Sequence, residues 1–346
     1  MCVGSFFHAQ SMPFYPLDSR VECIFLSNRS VRDKNPLITL LNKTLFRLYL
    51  CYKMHKLAKN FDIILANDGW FVPFLKNDSN FLVRLWHLNA PKRSKKLKLF
   101  DVLVILSQRE LLLWKTFHNN IMVIPNFLPQ IPRTSTNHTQ KVILSVGRMD
   151  SGDPKGFLRL LDMWKILQDS IKSQDFIESI ESQVSINSHD STKLSQDLSE
   201  WKLVIVGDGV LKPQIEQKIK MLHLQDSVIL KPFTKNIERE YLNASIYAMA
   251  SYFEGFGMAL AEASSYALPC IAFDVATGPS DIISHDKSGF LIANNDLQDY
   301  ADKLTALMCD MSLRKRFGSE ARKIAKGKFS KENIMKLWES LFEERF

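Results

Sequence analysis

A nine-residue segment in the second half of the chain, 254–262, combines residue types that could bind a polar ligand. It reads Glu-Gly-Phe-Gly-Met-Ala-Leu-Ala-Glu. Its two glycines allow a tight backbone turn close to a ligand, and the helix predicted over 258–266 presents its first N–H groups and its dipole to an anion. Glu254 and Glu262 suit hydrogen bonding to vicinal hydroxyls, such as those of a hexose and a ribose. A capped surface helix with solvated glutamates has the same spacing, so the segment alone leaves both interpretations open.

Basic residues follow the strand predicted over Val142–Val146. Gly147 and Arg148 end this strand, and Lys155 opens the helix after it. Arg and Lys together supply a fork-shaped donor and a point charge, which are the groups that bind a diphosphate. A basic pair after a strand is also typical of a solvated loop, and the Gly-Asp-Gly sequence at 207–209 is typical of a plain tight turn. Ligands of open α/β sheets bind at the carboxyl ends of the strands. The basic residues after Val142–Val146 and the Gly-Asp-Gly sequence are both predicted to lie there.

Strand-like and helix-like segments alternate along the chain, which predicts two α/β domains with doubly wound parallel sheets. The first domain is predicted over 1–128. Its short, continuous apolar runs suit strands that are buried on both faces of a parallel sheet. These runs are 63–66, 81–86, 102–106 and 121–124. Residues 37–59 are predicted as a helix, with a stripe of large apolar side chains on one face. The stripe consists of Leu41, Leu45, Leu48 and Tyr52.

The polar, proline-bearing stretch 129–140 is interpreted as the interdomain linker, and 141–325 as the second domain. Within that domain the polar residues 174–200 are predicted to form a surface insertion or a loop. A final helix over 326–346 is expected to cross back to the first domain. Two domains agree with the length of 346 residues, which exceeds what a single hydrophobic core usually organises.

Composition excludes several classes of protein. No apolar run approaches the roughly 20 residues that span a bilayer, and the N-terminus lacks the features of a secretory signal. The five cysteines are scattered without a Cys-x-x-Cys pair, which argues against a disulfide framework or a zinc site and favours a reducing cytoplasm.

The net charge of +8 is distributed unevenly. Residues 1–130 contain 18 Lys and Arg against 8 Asp and Glu, whereas the remaining residues contain 27 against 29. The segment 92–98 alone carries five cations. A basic first domain favours an anionic membrane surface as partner, although a solvated basic run has the same composition. No nucleic-acid-binding motif accompanies the charge, so nucleic acid is not expected as a partner.

Together these motifs resemble the retaining glycosyltransferases of family 4, the glycosyl transferases group 1. The resemblance covers 141–346 and continues more weakly from about residue 8. The pattern as a whole is specific, whereas no single piece of it is. The matching pieces are Val-Gly-Arg at 146–148, Lys-Gly-Phe at 155–157, Val-Gly-Asp-Gly at 206–209, Pro-Phe-Thr-Lys-Asn at 232–236, the 251–263 region, Ala-Leu-Pro at 267–269, Gly-Pro-Ser-Asp at 278–281 and Ser-Gly-Phe-Leu at 288–291.

The resemblance implies a GT-B fold, in which two Rossmann-like domains face each other across a cleft. By the same resemblance, Arg148 and Lys155 would hold the donor diphosphate, Glu254 would contact the transferred sugar, and Glu262 the ribose hydroxyls. His87, after a first-domain strand, would lie beside the sugar, although a lone histidine there is more often structural. The remaining donor-binding residues are Gly147, Gly207, Phe233, Thr234, Gly255, Phe256, Gly257, Met258, Ala259 and Leu260.

The implied reaction moves a hexose or N-acetylhexosamine from a nucleotide-sugar, most simply a UDP-sugar, to a glycan or lipid-linked acceptor. It would run with retention of configuration at the inner face of the cytoplasmic membrane, in cell-surface polysaccharide, lipopolysaccharide or glycoconjugate biosynthesis. The chain contains no Asp-x-Asp sequence, which favours diphosphate binding by Arg and Lys without a metal. No cofactor is expected, because the nucleotide-sugar is a co-substrate.

One departure leaves alternatives open. Members of this family begin with a strand, a glycine-rich turn and a helix, whereas Met1 is predicted to fall around the second strand. We therefore expect the first domain to lack its first βα unit. A truncated, non-catalytic glycosyltransferase-like subunit and a nucleotide-sugar epimerase of the same fold remain the alternative functions.

Overall fold

The structure, a computed structural model, describes residues 2–5, 18–27, 35–67, 71–76, 79–88, 90, 95–173 and 191–343. The strands are β1 (Cys2–Ser5), β2 (Glu22–Phe25), β3 (Ile63–Ala66), β4 (Phe81–Trp86), β5 (Val102–Ile105), β6 (Ile121–Val123), β7 (Val142–Val146), β8 (Lys202–Val206), β9 (Val228–Lys231), β10 (Ile246–Met249), β11 (Cys270–Phe273) and β12 (Gly289–Ile292). The helices are α1 (Pro36–Lys43), α2 (Leu45–Ala58), α3 (Leu111–Trp114), α4 (Phe157–Ser170), α5 (Ser191–Ser199), α6 (Lys212–Met221), α7 (Ile237–Leu242), α8 (Met258–Ser265), α9 (Pro279–Ile282), α10 (Leu297–Cys309), α11 (Met311–Phe329) and α12 (Lys331–Glu343), with a 3₁₀ turn at Lys95–Leu99.

The first domain contains a parallel four-stranded sheet in the order β3-β4-β5-β6, and β1 pairs in parallel with β2 in a separate two-stranded sheet. Strand β5 is buried along its whole length, as the continuous apolar run Val-Leu-Val-Ile predicts for an interior parallel strand.

The helix predicted over 37–59 is two helices that meet at Thr44. The hydroxyl of Thr44 donates to the carbonyl of Leu40 at 2.9 Å, which competes with the backbone ladder. The predicted apolar stripe faces outward: Leu45 is 67% exposed. The buried side chains of this region are Asn42, Leu50, Cys51 and Ala58.

The second domain has a parallel six-stranded sheet in the order β12-β11-β10-β7-β8-β9. Counted from its own first strand, this is the Rossmann order 3-2-1-4-5-6, which reverses direction between β7 and β10. The turns that follow these two strands therefore diverge and leave a crevice at the carboxyl edge of the sheet. The two domains with parallel sheets confirm the predicted fold class.

The polar stretch predicted as a loop over 174–200 is partly helical. Residues 174–190 lie outside the described residues, whereas Ser191–Ser199 form α5. Leu194 and Leu198 are buried in the main core of the second domain. The two leucines are four residues apart and therefore lie on one face of the helix. Their burial anchors an otherwise polar segment to the core.

The C-terminal helix α12 packs on the first domain, where Ile334 and Leu341 are buried against Val83 and Val104. No helix in the described parts of the chain is long and apolar enough to cross a bilayer.

Candidate functional site

Close backbone packing brings the turns after β7 and β8 together at the carboxyl edge of the second sheet. The amide of Gly147 donates to the carbonyl of Val206 at 3.1 Å. A Cβ atom on Gly207 would lie 1.9 Å from the carbonyl oxygen of Gly147. A side chain at Gly207 would therefore push the two turns apart, so glycine is required there for packing as well as for turning.

The start of α4 is tied to the end of β10. Gly156 has a φ of +68°, and a Cβ atom on it would lie 1.8 Å from the carbonyl oxygen of Ala250. The carboxylate of Asp153 accepts from the amides of Phe157 and Leu158, both at 2.8 Å, and so satisfies the first donors of the helix. These contacts fix Lys155, the residue between the cap and the helix, over the crevice.

Lys155 and Glu254 form an ion pair across this crevice. The ammonium of Lys155 lies 2.7 Å from Oε1 of Glu254, which also accepts from the hydroxyl of Ser251 at 2.6 Å. The Glu254 side chain is 7% exposed and that of Lys155 31% exposed, so the carboxylate is held inside while the ammonium faces the opening. The hydroxyl of Thr277 donates to the carbonyl of Glu254. Glu254 is therefore fixed at both its side chain and its main chain.

Arg159 supports this pair from below, and sequence reasoning did not identify it. Its guanidinium is buried and donates to the carbonyl of Ala250 at 2.5 Å and to that of Ser251. The same group donates to the side chains of Asn294 and Asn295, each at 2.9 Å. The only sequence signal is a charged residue on the apolar face of α4, which a buried structural arginine produces.

The turn between Glu254 and α8 has the conformation that its glycines predict. Gly257 has a φ of +92° and stands immediately before α8. Phe256 is buried and packs edge-on against the ring of Phe329, with centroids 5.2 Å apart. Helix α8 therefore begins four residues after Glu254, which pairs with Lys155, and the amides at the start of a helix can bind an anion.

Glu262 lies one turn into α8 and accepts a hydrogen bond from the hydroxyl of Tyr241 at 2.9 Å. Burial raises the pKa of Glu262, while the Tyr241 bond acts in the opposite direction. Tyr241 is itself stacked on Tyr266, with ring centroids 5.1 Å apart. The carboxylate is thus oriented by an immobilised phenol, and a hydroxyl-bearing ligand can approach its remaining lone pairs.

The burial of Glu262 should change how the free energy of unfolding depends on pH. Because the pKa of Glu262 is higher in the folded chain than in the unfolded one, its contribution to stability is present below the unfolded value and is lost as the pH rises through the folded value. The free energy of unfolding of Glu262→Gln should therefore increase relative to the wild type as the pH rises above 4.5. Urea unfolding of both proteins at several pH values tests this. A difference that does not change with pH would contradict the assignment.

The Gly-Asp-Gly sequence at 207–209 forms a tight turn that also positions a neighbouring loop. The carboxylate of Asp208 accepts from the amide of Phe233 at 2.7 Å and from the ammonium of Lys212 at 3.1 Å. The Phe233 amide and Lys212 both lower the pKa of Asp208. Phe233 is 68% exposed, so its ring presents an open face on which a base could stack. Thr234 follows it, and its hydroxyl accepts from the amide of Asn236 at 3.1 Å.

Arg148 stands apart from the Lys155–Glu254 pair. Its side chain is 84% exposed and pairs with Asp150 at 2.9 Å. An exposed pair of this kind contributes little stability, so the guanidinium can rotate toward an anion at small cost.

His87 lies on the first-domain side of the crevice. Its ring hydrogen-bonds the side chain of Asn67. Burial lowers the pKa of His87, and the charge of Arg84 acts in the same direction. A neutral imidazole at this position can accept or donate a hydrogen bond at pH 7. The main-chain oxygen of His87 faces Gly255, where an added Cβ atom would lie 2.0 Å away.

A second interdomain contact lies beside the first. The carboxylate of Asp281 accepts from the Ser107 hydroxyl and, at 3.1 Å, from the amide of Gln108. Arg109 donates to both carboxylate oxygens of Asp274. The loop after β5 is therefore clamped to the second domain, which holds His87 and Glu254 on opposite sides of one narrow cleft.

Gly255→Ala should impair the cleft while leaving the two cores intact. The new methyl group would meet the backbone of His87, which cannot move as a flexible side chain would. Because a displacement of about 1 Å can cost a hundredfold in rate, we expect kcat/KM to fall by about that factor. Steady-state kinetics measures the effect. Gly327→Ala is the matched control, since a Cβ atom there meets nothing within 4 Å, and equal losses in both variants would contradict the assignment.

The part of the chain that the structure describes contains no group of three or more His, Cys, Asp and Glu side chains that could hold a metal ion.

Comparison with known proteins identifies the family. The family described as "Glycosyl transferases group 1" matches residues 129–324. The chain is 29% identical over 355 residues to the amylovoran biosynthesis glycosyltransferase AmsD of Erwinia amylovora, which covers 95% of this chain and 87% of AmsD. It is 36% identical over 141 residues to the poly(ribitol-phosphate) alpha-N-acetylglucosaminyltransferase of Staphylococcus aureus, over 41% of this chain but only 29% of that protein.

Among solved structures, the Anabaena protein HepE in complex with UDP superposes with a TM-score of 0.66 at 18% sequence identity. The superposition covers 94% of this chain and 85% of HepE. This likeness establishes the fold, and the family match covers more than half of the chain. The chain is therefore a transferase enzyme with the GT-B fold, and it belongs to the glycosyl transferases group 1.

Proposed function

We propose that this glycosyltransferase moves a hexose or N-acetylhexosamine from a UDP-sugar to a glycan or lipid-linked acceptor in the biosynthesis of a bacterial surface polysaccharide. The acceptor class is supported by AmsD, which acts in amylovoran biosynthesis, and by the S. aureus relative, which acts on poly(ribitol-phosphate). The UDP donor is supported by HepE, whose structure contains UDP.

The observation that carries the proposal is the pair of the buried Glu254 carboxylate with the half-buried Lys155 ammonium, just before the start of α8. A donor diphosphate entering there would attract the Lys155 ammonium, together with the first amides of α8 and the exposed guanidinium of Arg148. As Lys155 turns toward the phosphates, the Glu254 carboxylate loses part of its partner and gains the hydroxyls of the transferred sugar. Glu262 is placed to accept from the ribose hydroxyls. The site then exchanges an internal ion pair for ligand contacts, which keeps the carboxylate satisfied in both states.

Two finer features of the reaction belong to the proposal. We assign retention of configuration, with the leaving diphosphate taking the acceptor proton, so that the protein's part is positioning and stabilisation of departing negative charge. We also assign diphosphate binding to Lys155 and Arg148 without a bound metal or a cofactor. NMR of the anomeric proton in the first product tests retention, and activity in excess EDTA tests metal independence. An inverted product or an EDTA-inactivated enzyme would refute the respective assignment.

The inner face of the cytoplasmic membrane is the proposed location. The exposed side chains Leu45, Leu48 and Tyr52 of α2 lie beside Lys53 and Lys56, and the Lys56 ammonium sits 4.9 Å from the Tyr52 ring centre. An apolar face edged by cations suits an anionic bilayer. The basic segment 92–98 is described only from Lys95 onward. Leu45→Glu should weaken co-sedimentation with phosphatidylglycerol vesicles, and unchanged retention would remove α2 from the proposal.

Isothermal titration with UDP tests the donor half of the proposal. We expect binding by the wild type and weaker binding by Lys155→Ala, with Lys165→Ala as a control that removes a lysine of α4 that is similarly half-buried and pairs with Asp169. If the wild type does not bind UDP, or if Lys155→Ala binds it as tightly as the wild type does, the assignment of the donor site is refuted. A UDP-release assay with and without acceptor then distinguishes the alternative functions. A transferase releases UDP when acceptor is present, whereas an epimerase and an inert subunit release none.

A further inference from the structure

A cavity lies on the opposite side of the second domain from the donor crevice. It has a volume of about 360 Å³, is open to solvent and is bordered by the linker and by α11. Ala267, which lines it, precedes β11, and Thr136 on its wall donates to the carbonyl of Ala244, just before β10. The cavity therefore faces the amino edge of the sheet, whereas the donor crevice lies at the carboxyl edge. Its volume is within the range of small-molecule sites.

Cations from one face of α11 line this cavity. They are Lys315, Arg322, Lys323 and Lys326. Their positions along the helix extend over about 16 Å at 1.5 Å per residue. None of the side chains that line the cavity is acidic. The positive charge is therefore arranged as a row, and not as a single point.

The four cations differ in how they are already engaged. The guanidinium of Arg322 donates to linker carbonyls, at 2.5 Å to Pro132 and 3.2 Å to Thr134, and so builds the wall. Lys323 pairs with Glu320 at 3.1 Å. Within the described ranges of the chain, Lys315 and Lys326 have no carboxylate within ion-pair distance. Two ammonium groups at the two ends of the row are thus available to a ligand.

His138 forms part of the cavity wall without adding charge to it. Its side chain is 5% exposed and lines the cavity, and its Nδ1 atom is buried without a hydrogen-bond partner among the described residues. Burial lowers the pKa of His138 to about 4, and Arg314 and Lys315 act in the same direction. The ring is therefore neutral at pH 7, and the positive charge that lines the cavity comes from α11.

We propose that this cavity binds an elongated ligand that carries two or more phosphate groups. The phosphates would span the row from Lys315 to Lys326, whereas a single phosphate reaches only one end of the row. The phosphates come either from a soluble phosphorylated molecule or from lipid headgroups.

Calorimetric titration of the full-length protein with inorganic tripolyphosphate at low ionic strength tests the proposal. We expect binding at least about tenfold tighter than that of orthophosphate, and weakened by about tenfold or more in Lys315→Ala/Lys326→Ala, as the loss of charged hydrogen bonds predicts. Lys328→Ala/Lys336→Ala is the matched control, with the same change in charge on exposed positions of α11 and α12 that do not line the cavity. Binding should persist in Lys155→Ala, which removes the donor-site cation.

Four outcomes would overturn the proposal: no heat of binding in the wild type, equal affinity in the cavity double variant, equal weakening in the control, or loss of binding in Lys155→Ala. The substituted lysines are exposed, so the unliganded variants should unfold at the wild-type urea midpoint. Phosphatidylglycerol vesicles then separate the two sources. If Lys315→Ala/Lys326→Ala abolishes retention on the vesicles, the phosphates come from lipid headgroups. If retention does not depend on these lysines and tripolyphosphate still binds, the ligand is a soluble phosphorylated molecule.

Discussion

Replacing Lys155 by alanine should lower kcat/KM for sugar transfer by about 10²–10³-fold, the magnitude typical of removing one preorganised group that stabilises developing negative charge. The ammonium is positioned by the Asp153 cap and by the close contact between Gly156 and Ala250, so it is oriented before substrate arrives. The substitution also leaves the Glu254 carboxylate without its cation. Both effects act on the same step, because the carboxylate and the ammonium face the same donor.

The variant Lys155→Arg distinguishes the effect of the positive charge at this position from the effect of the side chain's shape. It retains the positive charge, so we expect its activity to lie between those of the wild type and Lys155→Ala. Lys165→Ala removes a half-buried lysine of α4 away from the crevice. Its ion pair with Asp169 is worth about 0–1 kcal/mol, so the activity of this variant should equal that of the wild type. Initial rates of UDP release at saturating acceptor measure all three. Full activity of Lys155→Ala would refute the assignment.

Arg159→Met should lower the free energy of unfolding by about 3 kcal/mol or more, the largest stability effect that we expect from a single polar side chain. The guanidinium satisfies two main-chain carbonyls, at Ala250 and Ser251, and two asparagine side chains. Hydrogen bonds to a charged group contribute about 1.5–3 kcal/mol, and leaving several buried acceptors unsatisfied costs more than one such bond. The arginine also lies over the rings of Tyr252 and Phe273, at 3.9 and 4.2 Å, so methionine preserves part of the packing and isolates the polar contribution.

Urea unfolding of Arg159→Met, Arg159→Lys and Arg316→Ala forms the comparison. Lysine keeps the charge but cannot reach four acceptors at once, so Arg159→Lys should be nearly as destabilised as Arg159→Met. Arg316 is exposed on α11, and its replacement should change stability by less than about 0.5 kcal/mol. A loss of less than 1 kcal/mol in Arg159→Met would show that the end of β10 is held by other contacts.

Local sequence patterns predicted most of the regular elements. The strands Ile63–Ala66, Phe81–Trp86 and Val142–Val146 have the predicted boundaries, because short apolar runs between polar turns suit only a few structures. Patterns failed where they lacked long-range information. The spacing of the apolar stripe over 41–52 did not indicate that the stripe is exposed, and the polar composition of α5 hid the two leucines that anchor it.

The residue types and spacing of the 254–262 segment, and its resemblance to a glycosyltransferase motif, are properties of the sequence alone. They sufficed to predict the GT-B fold and the transferase class, which the structure and the family match confirm. The roles of the individual site residues stay predictions. The tertiary structure decided which of them meet: Lys155 contacts Glu254 although 99 residues separate them, whereas Arg148 turns to Asp150. The reason is topological, because the sheet reverses its strand order between β7 and β10 and brings the turns after these strands to one crevice, and no local pattern encodes that reversal.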